Sequence, residues 1–161
     1  MSELLEAIYR GDKARADELL ASDPELDVFE AAAVGKAERL RELLDGDPSL
    51  ANAWARDGFQ PLGLASFFGR TAAVCLLLER GAEVNSASRN EMQVMPLHSA
   101  AATDDPETRY EIAKLLLEQG ADPNARQQDD FTPLMEADQH GDERLRGLLI
   151  EHGAETAPSA R

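Results

Sequence analysis

Leu77-Leu78-Glu79-Arg80-Gly81-Ala82-Glu83-Val84-Asn85 is matched at its Leu-Leu-Glu, its Gly-Ala and its final Asn by Leu116-Leu117-Glu118-Gln119-Gly120-Ala121-Asp122-Pro123-Asn124. Leu149-Ile150-Glu151-His152-Gly153-Ala154-Glu155 is a third, looser copy. A leucine pair followed by Gly reads as the end of an apolar helix, because glycine reaches the left-handed backbone without a Cβ clash. The polar, Asn-bearing residues that follow read as a turn or an extended hairpin. Ahead of each copy a Pro-Leu opens a short Ala-rich stretch, at Pro61-Leu62, Pro96-Leu97 and Pro133-Leu134. Pro suits a first helical position, where its missing N–H has no partner to lose. Gly69 and Gly141 end that first helix in two of the three units. Each unit is therefore two helices and a turn.

Working outward, the spacing stays in the mid-thirties. Gly35 and Gly69 are 34 residues apart, Pro61 and Pro96 are 35, Pro96 and Pro133 are 37, and Gly120 and Gly153 are 33. Self-similarity at such a period marks a stacked array. Toward the N-terminus the period shortens. Gly11 through Leu19-Leu20 returns 24 residues later as Gly35 through Leu43-Leu44, and Asp23-Pro24 returns as Asp47-Pro48. This spacing predicts about five helix pairs in a single domain spanning 1–156. Their approximate units are 1–24, 25–54, 55–87, 88–125 and 126–156, followed by a frayed tail at 157–161.

The recurring unit resembles the ankyrin repeat, whose pattern is roughly D-x-x-G-x-T-P-L-H-x-A-A-x-x-G, a helix, then L-L-x-x-G-A-D-x-N. Asp57-Gly58-Phe59-Gln60-Pro61-Leu62-Gly63-Leu64-Ala65, Met95-Pro96-Leu97-His98-Ser99-Ala100-Ala101 and Phe131-Thr132-Pro133-Leu134 carry the opening. The leucine-glycine stretches above carry the close. The resemblance implies an all-α solenoid with short β-hairpin fingers between the later repeats. It further implies non-catalytic binding of a partner protein by the concave surface of hairpin tips and exposed first-helix sides. The matching tip positions are Trp54, Arg56, Asp57 and Phe59, then Glu91, Met92 and Val94, then Gln128, Asp129 and Phe131. On the first helices they are Phe67 and Phe68, Ala102 and Thr103, and Gln139 and His140. Phe59 and Phe131 share a slot and could pack between repeats; Phe68 reads equally as packed or exposed. Trp54 and Met92 lack that equivalence and point to contact. Arg56 could grip a partner carboxylate bidentately, or simply balance local charge.

The departures from the pattern carry their own expectations. Thr132 can cap its helix through the hydroxyl, whereas Gln60 and Met95 cannot in the same way. Gly63 and Met135 replace the pattern's His, and His98 lacks its Thr, so the usual Thr–His link should be intact in no unit. His98 itself reads as a helix-start structural residue. Ala102 to Pro106 predicts an inter-helix loop about four residues longer, with Asp105-Pro106 starting the next helix. Ser88 to Gln93 predicts a longer finger. Asp138 and Arg146 place polar side chains where the last unit would otherwise meet a further repeat, as a capping unit requires.

Composition narrows the function. Lys and Arg number 16 against 31 Asp and Glu, a net charge of −15. An acidic surface repels phosphate backbones and anionic headgroups, so nucleic acid and membranes are poor partners and a basic or amphipathic protein is the better one. Aromatics are 5% of a chain that is 43% hydrophobic, so Ala and Leu must build the core. Cys75 is the only cysteine, which leaves no intramolecular disulfide and reads as a packed thiol. Met1 to Glu6 lacks a basic segment followed by an apolar run, and no apolar stretch approaches the ~20 residues of a membrane helix. A monomer in the cytoplasm is the resulting expectation. No HExxH, GxSxG or phosphate-loop pattern occurs. Asp104-Asp105 and Asp129-Asp130 lack further ligands at calcium-loop spacing, so neither catalytic residue, cofactor nor metal is expected. The alternative is a small-molecule or metal-responsive sensor using the groove near Trp54 and Phe67.

Overall fold

Five consecutive helix pairs follow from these signals in the computed structural model, which describes residues 1–156; the predicted tail at 157–161 lies outside the described residues. The pairs are α1 (Glu3–Tyr9) with α2 (Lys13–Ala21), α3 (Val28–Val34) with α4 (Ala37–Gly46), α5 (Pro61–Phe67) with α6 (Thr71–Glu79), α7 (Pro96–Ala101) with α8 (Pro106–Glu118), and α9 (Pro133–His140) with α10 (Glu143–Glu151). First helices stack in one layer, each on the next. Second helices stack behind them from α4 to α10.

Small side chains let the first helices approach closely. Ala31, Ala32, Ala33, Ala65, Ala100, Ala101 and Ala137 are wholly inaccessible. The second helices fill the space behind with Leu40, Leu44, Leu77, Leu116, Leu145 and Leu149, and one apolar core runs from Leu4 to Ala154. Asp12, Asp27, Asp105, Thr132 and Asp142 cap their helices by accepting a backbone N–H three residues on. Gln60 makes no cap. Its side-chain amide instead donates to the Asn52 carbonyl at 2.9 Å, across the boundary between two units.

The fingers are turns. No strand is present among the described residues; each finger is closed by one backbone bond, from Ala55 N–H to Phe59 O, Ser88 N–H to Val94 O and Gln127 N–H to Phe131 O. The middle finger is two residues longer than its neighbours, as the Ser88–Gln93 insertion predicts. Neighbouring fingers are also tied to each other, Arg89 N–H to Gly58 O at 2.8 Å and Gln128 N–H to Met92 O at 2.9 Å.

A second set of ties runs through the segments that lead from each second helix into its finger. Asn52, Asn85 and Asn124 each donate a side-chain N–H to the carbonyl of the next unit's terminal glycine, Gly81, Gly120 and Gly153. Each accepts in return the backbone N–H two residues further on, of Glu83, Asp122 and Glu155, at 2.8 Å. An Asn has an acceptor and a donor on one planar group, so a single residue closes both bonds.

One length expectation is corrected. The loop between α7 and α8 is residues 102–105, one residue longer than the 68–70 connection. The insertion instead extends α8 to 13 residues, against 9 in α6. The cause is local: Asp105 accepts the Thr108 N–H at 2.9 Å and its hydroxyl at 2.6 Å, with Pro106 behind it, and so starts the helix a turn early. That extra turn brings Arg109 into the interior.

Candidate functional site

The concave side is built from first helices and finger tips, and it holds an apolar groove of about 380 Å³. Tyr9, Phe59, Gly63, Leu64, Phe67 and Met92 line its centre, with Val94, Gln127 and Glu136 at its far side. Three long side chains from three separate units stand exposed here: Tyr9 at 38%, Phe67 at 45% and Met92 at 50%. Phe67 is held by an edge-on contact with Phe68, ring centroids 5.0 Å apart, and Phe68 in turn meets Tyr9 at 5.5 Å. The Tyr9 hydroxyl donates to Asp57 at 2.9 Å. Burial and then that carboxylate push the Tyr9 phenol above its ordinary pKa.

Carboxylates rim this apolar strip. Glu6, Asp57 and Glu91 border the shallow opening that continues the groove past Tyr9, Phe59 and Met92, where Arg10 is the lone cation. Asp129 and Glu136 border its extension toward the last finger. Asp57 and Glu136 already hold partners in Tyr9 and His140; Glu91 and Asp129 are exposed and have none among the described residues.

The positions named from the sequence divide into three groups. Phe59, Phe67, Met92 and Val94 come together in the groove, and Gln128, Asp129, Phe131 and Gln139 line the extension beside it. Trp54, Arg56 and Asp57 line a separate depression of about 330 Å³ with Met1, Leu5 and Phe29, so Trp54 and Phe67 do not share a groove. Trp54 is half-buried, and the Arg89 guanidinium lies over its ring at 4.0 Å. Three residues are engaged by neighbours within the chain. Phe68 packs on the Leu5, Ala33 and Leu64 cluster. Thr103 corrects its sequence placement: at 6% exposure, its hydroxyl donates to Ser66 O at 2.8 Å and so joins α7 to α5 rather than presenting a surface. His140 is exposed, but its ring lies between Glu136 and the Arg109 guanidinium, each at 3.3 Å.

The sequence reading passed over Tyr9 and Gly63. Tyr9 stands two residues before Gly11 as Phe67 stands two before Gly69, a register equivalence that marks it for the same face. Gly63 occupies the position that His98 fills one unit later. His98 is 3% exposed; its Nδ1 faces the Met95 N–H at 3.4 Å, and its Nε2 lies 3.1 Å from the carbonyls of both Ala125 and Phe131. Those contacts require a neutral ring protonated at Nε2. Burial lowers its pKa, opposed by the two carbonyls. Burial likewise raises the Cys75 thiol, with Glu79 and Glu111 adding to it. Among the described residues no group of three or more His, Cys, Asp or Glu gathers where it could hold a metal ion.

A family model described as ankyrin repeats, in three copies, matches residues 28–127. The "Ankyrin repeat, SAM and basic leucine zipper domain-containing protein 1" of Ornithorhynchus anatinus is 35% identical over 144 residues, 89% of this chain and 29% of that protein. The "Ankyrin repeat and SAM domain-containing protein 6" of Rattus norvegicus is 32% identical over 66% of this chain and 11% of that protein. The "E3 ubiquitin-protein ligase Ufd4" of Drosophila melanogaster is 36% identical over 68% of this chain, a stretch amounting to 4% of the ligase. This chain thus spans less than a third of the length of each.

Proposed function

This chain belongs to the ankyrin-repeat family, and from that premise we propose that it binds a partner protein through the concave groove between Tyr9, Phe67 and Met92. Ankyrin repeats are generally protein–protein interaction modules. The observation that carries the reading is the apolar strip itself. Three large side chains from different units are held exposed, side by side, in one groove. Contiguous exposed apolar surface edged by polar groups is what interaction sites present. The carboxylate rim favours a basic or amphipathic partner and speeds its approach.

The scaffold supports this use by staying rigid. Asn clamps and finger-to-finger bonds together hold the unit spacing, so little ordering entropy is lost on association. The proposed setting is a cytoplasmic monomer, whose −15 charge opposes self-association. No described helix is long and apolar enough to cross a membrane. The proposed role is non-catalytic, as is general for ankyrin repeats themselves. The sensor alternative has one point in its favour, since about 380 Å³ lies within the ~300–1,000 Å³ of small-ligand pockets.

Affinity capture from lysate with the whole chain as bait tests the reading, comparing wild type with Phe67→Ser/Met92→Ser. Circular dichroism first establishes that the variant is folded, which its exposed positions lead us to expect. Proteins recovered by wild type and lost by the folded variant support the concave face. Identical recoveries from both would refute it.

A further inference from the structure

Gly63, His98 and Met135 hold the same place in three successive units, the third residue of the Pro-Leu helices α5, α7 and α9. At His98 the imidazole spans the gap between its helix and the following finger, reaching Ala125 and Phe131. At Gly63 nothing spans it. A Cβ built there would find a single neighbouring heavy atom within 4 Å, Phe59 Cδ1 at 3.7 Å. Phe59 and Phe67 flank this empty place on its own unit, and Val94 and Met92 face it from the next finger. The groove thus includes the place where the next unit carries a ring, a notch with a lining that is mostly apolar around Gly63.

Its surroundings set the chemistry of the occupant. The notch alone would accept any compact apolar side chain. However, Glu91 stands beyond Met92 at one side, Glu136 and Asp129 at the other, and Asp57 behind Phe59. An apolar side chain entering here carries its neighbours into this carboxylate rim, where a lysine or arginine is attracted and an acidic residue is repelled.

Building on the concave-face reading, we propose that the Gly63 notch is the anchor pocket of the groove. It takes an aliphatic side chain of about leucine or methionine size from a partner segment that flanks it with lysine or arginine. Gly63 is then a specificity-determining residue: its missing side chain is what admits the anchor.

Gly63 is buried in its helix, but its backbone is ordinary helix and an added Cβ would meet only Phe59, at an ordinary contact distance of 3.7 Å, so the notch can be filled without breaking the fold. The probe is a rhodamine-labelled 14-residue amphipathic peptide of leucine and lysine, titrated with the whole chain and followed by fluorescence anisotropy. A second peptide has serine for leucine at equal charge. We expect the leucine peptide to bind at least tenfold more tightly than the serine peptide. Gly63→Leu should weaken it at least tenfold with no fall in Tm, and Gly63→Ala, which adds one methyl group, by about threefold. If both Gly63 variants bind like wild type while Phe67→Ser/Met92→Ser loses the peptide, the notch is overturned and the concave reading stands. If none of the variants changes binding, both readings fall. Equal binding of the two peptides overturns the anchor as well, since charge alone would then account for it.

Discussion

Arg109 is the residue whose surroundings depart furthest from what its type suggests. Its side chain is 4% exposed and every arm is occupied: Nε donates to Thr103 O at 2.8 Å, one terminal nitrogen to Asp142 at 2.8 Å, the other to Asp104 O and His140. Burial alone would raise the Asp142 carboxyl, but the Leu145 N–H and Arg109 together hold it below its ordinary pKa. Breaking a buried pair by deleting one partner typically costs ~3–5 kcal/mol, because the other charge is left stranded. Arg109→Ala should therefore lose about that much stability in urea unfolding, and Arg109→Lys should recover little of it, having one ammonium in place of a fork. The sequence gives no warning of this, since an Arg in a helix of mixed charge reads as a solvated side chain. It is buried only because Asp105 starts α8 a turn early. His98, by contrast, was legible as a helix-start residue, and it carries a pH prediction. An unfolded imidazole takes up a proton near pH ~6.5, whereas the buried one does so at lower pH. Between the two the unfolded chain holds more protons, so stability falls as pH drops through about 6.5 and levels off below the folded pKa. Unfolding free energies measured from pH 8 to pH 5 should show that slope, and His98→Gln should flatten it.

Among the elements, the repeated ties between units are the most exposed to test. Asn85 was visible as the last residue of its motif, and its partners recur at Asn52 and Asn124, but nothing in Leu50-Ala51-Asn52 matches the Gly-Ala-Glu-Val-Asn context. Only the fold reveals that Asn52 makes the same two bonds. Asn85→Ala removes a donor and an acceptor at once. At ~0.5–1.5 kcal/mol per bond it should cost about 1–3 kcal/mol, and amide hydrogen exchange should quicken at Asp122. The fingers predict a sharper failure. Gly58 has φ +87°, and a Cβ there would lie 2.7 Å from the Arg89 carbonyl carbon and oxygen, so Gly58→Ala must pull two fingers apart. Gly63→Ala, a glycine in ordinary helical geometry, should instead stabilise by ~0.5–1 kcal/mol in the same unfolding assay. Two glycines in one unit, five residues apart in sequence, thus respond with opposite sign.

For the molecule as a whole, the helix pairs and their order were written in the period of glycines and prolines, because each unit must end and begin its helices alike to stack. The groove was only half written there. Phe67 and Met92 lie at positions that match the repeat's exposed surface, whereas the separation of Trp54 from their groove, with the Arg89 guanidinium over its ring, emerges only from the fold. Charge at this scale predicts salt dependence: partner association should slow as ionic strength rises, since the Debye length falls from ~10 Å at 0.1 M to ~3 Å at 1 M. On this reading the concave face, and not the outer face of the second helices, meets the partner. The most direct measurement places a photoreactive benzoylphenylalanine in turn at Met92 on the groove and at Lys114 on the exposed side of α8, then irradiates the chain in cell extract. Discrete adducts to another protein from position 92, with none of those bands from position 114, are the predicted result. The same bands from both positions, or bands from 114 alone, would contradict it.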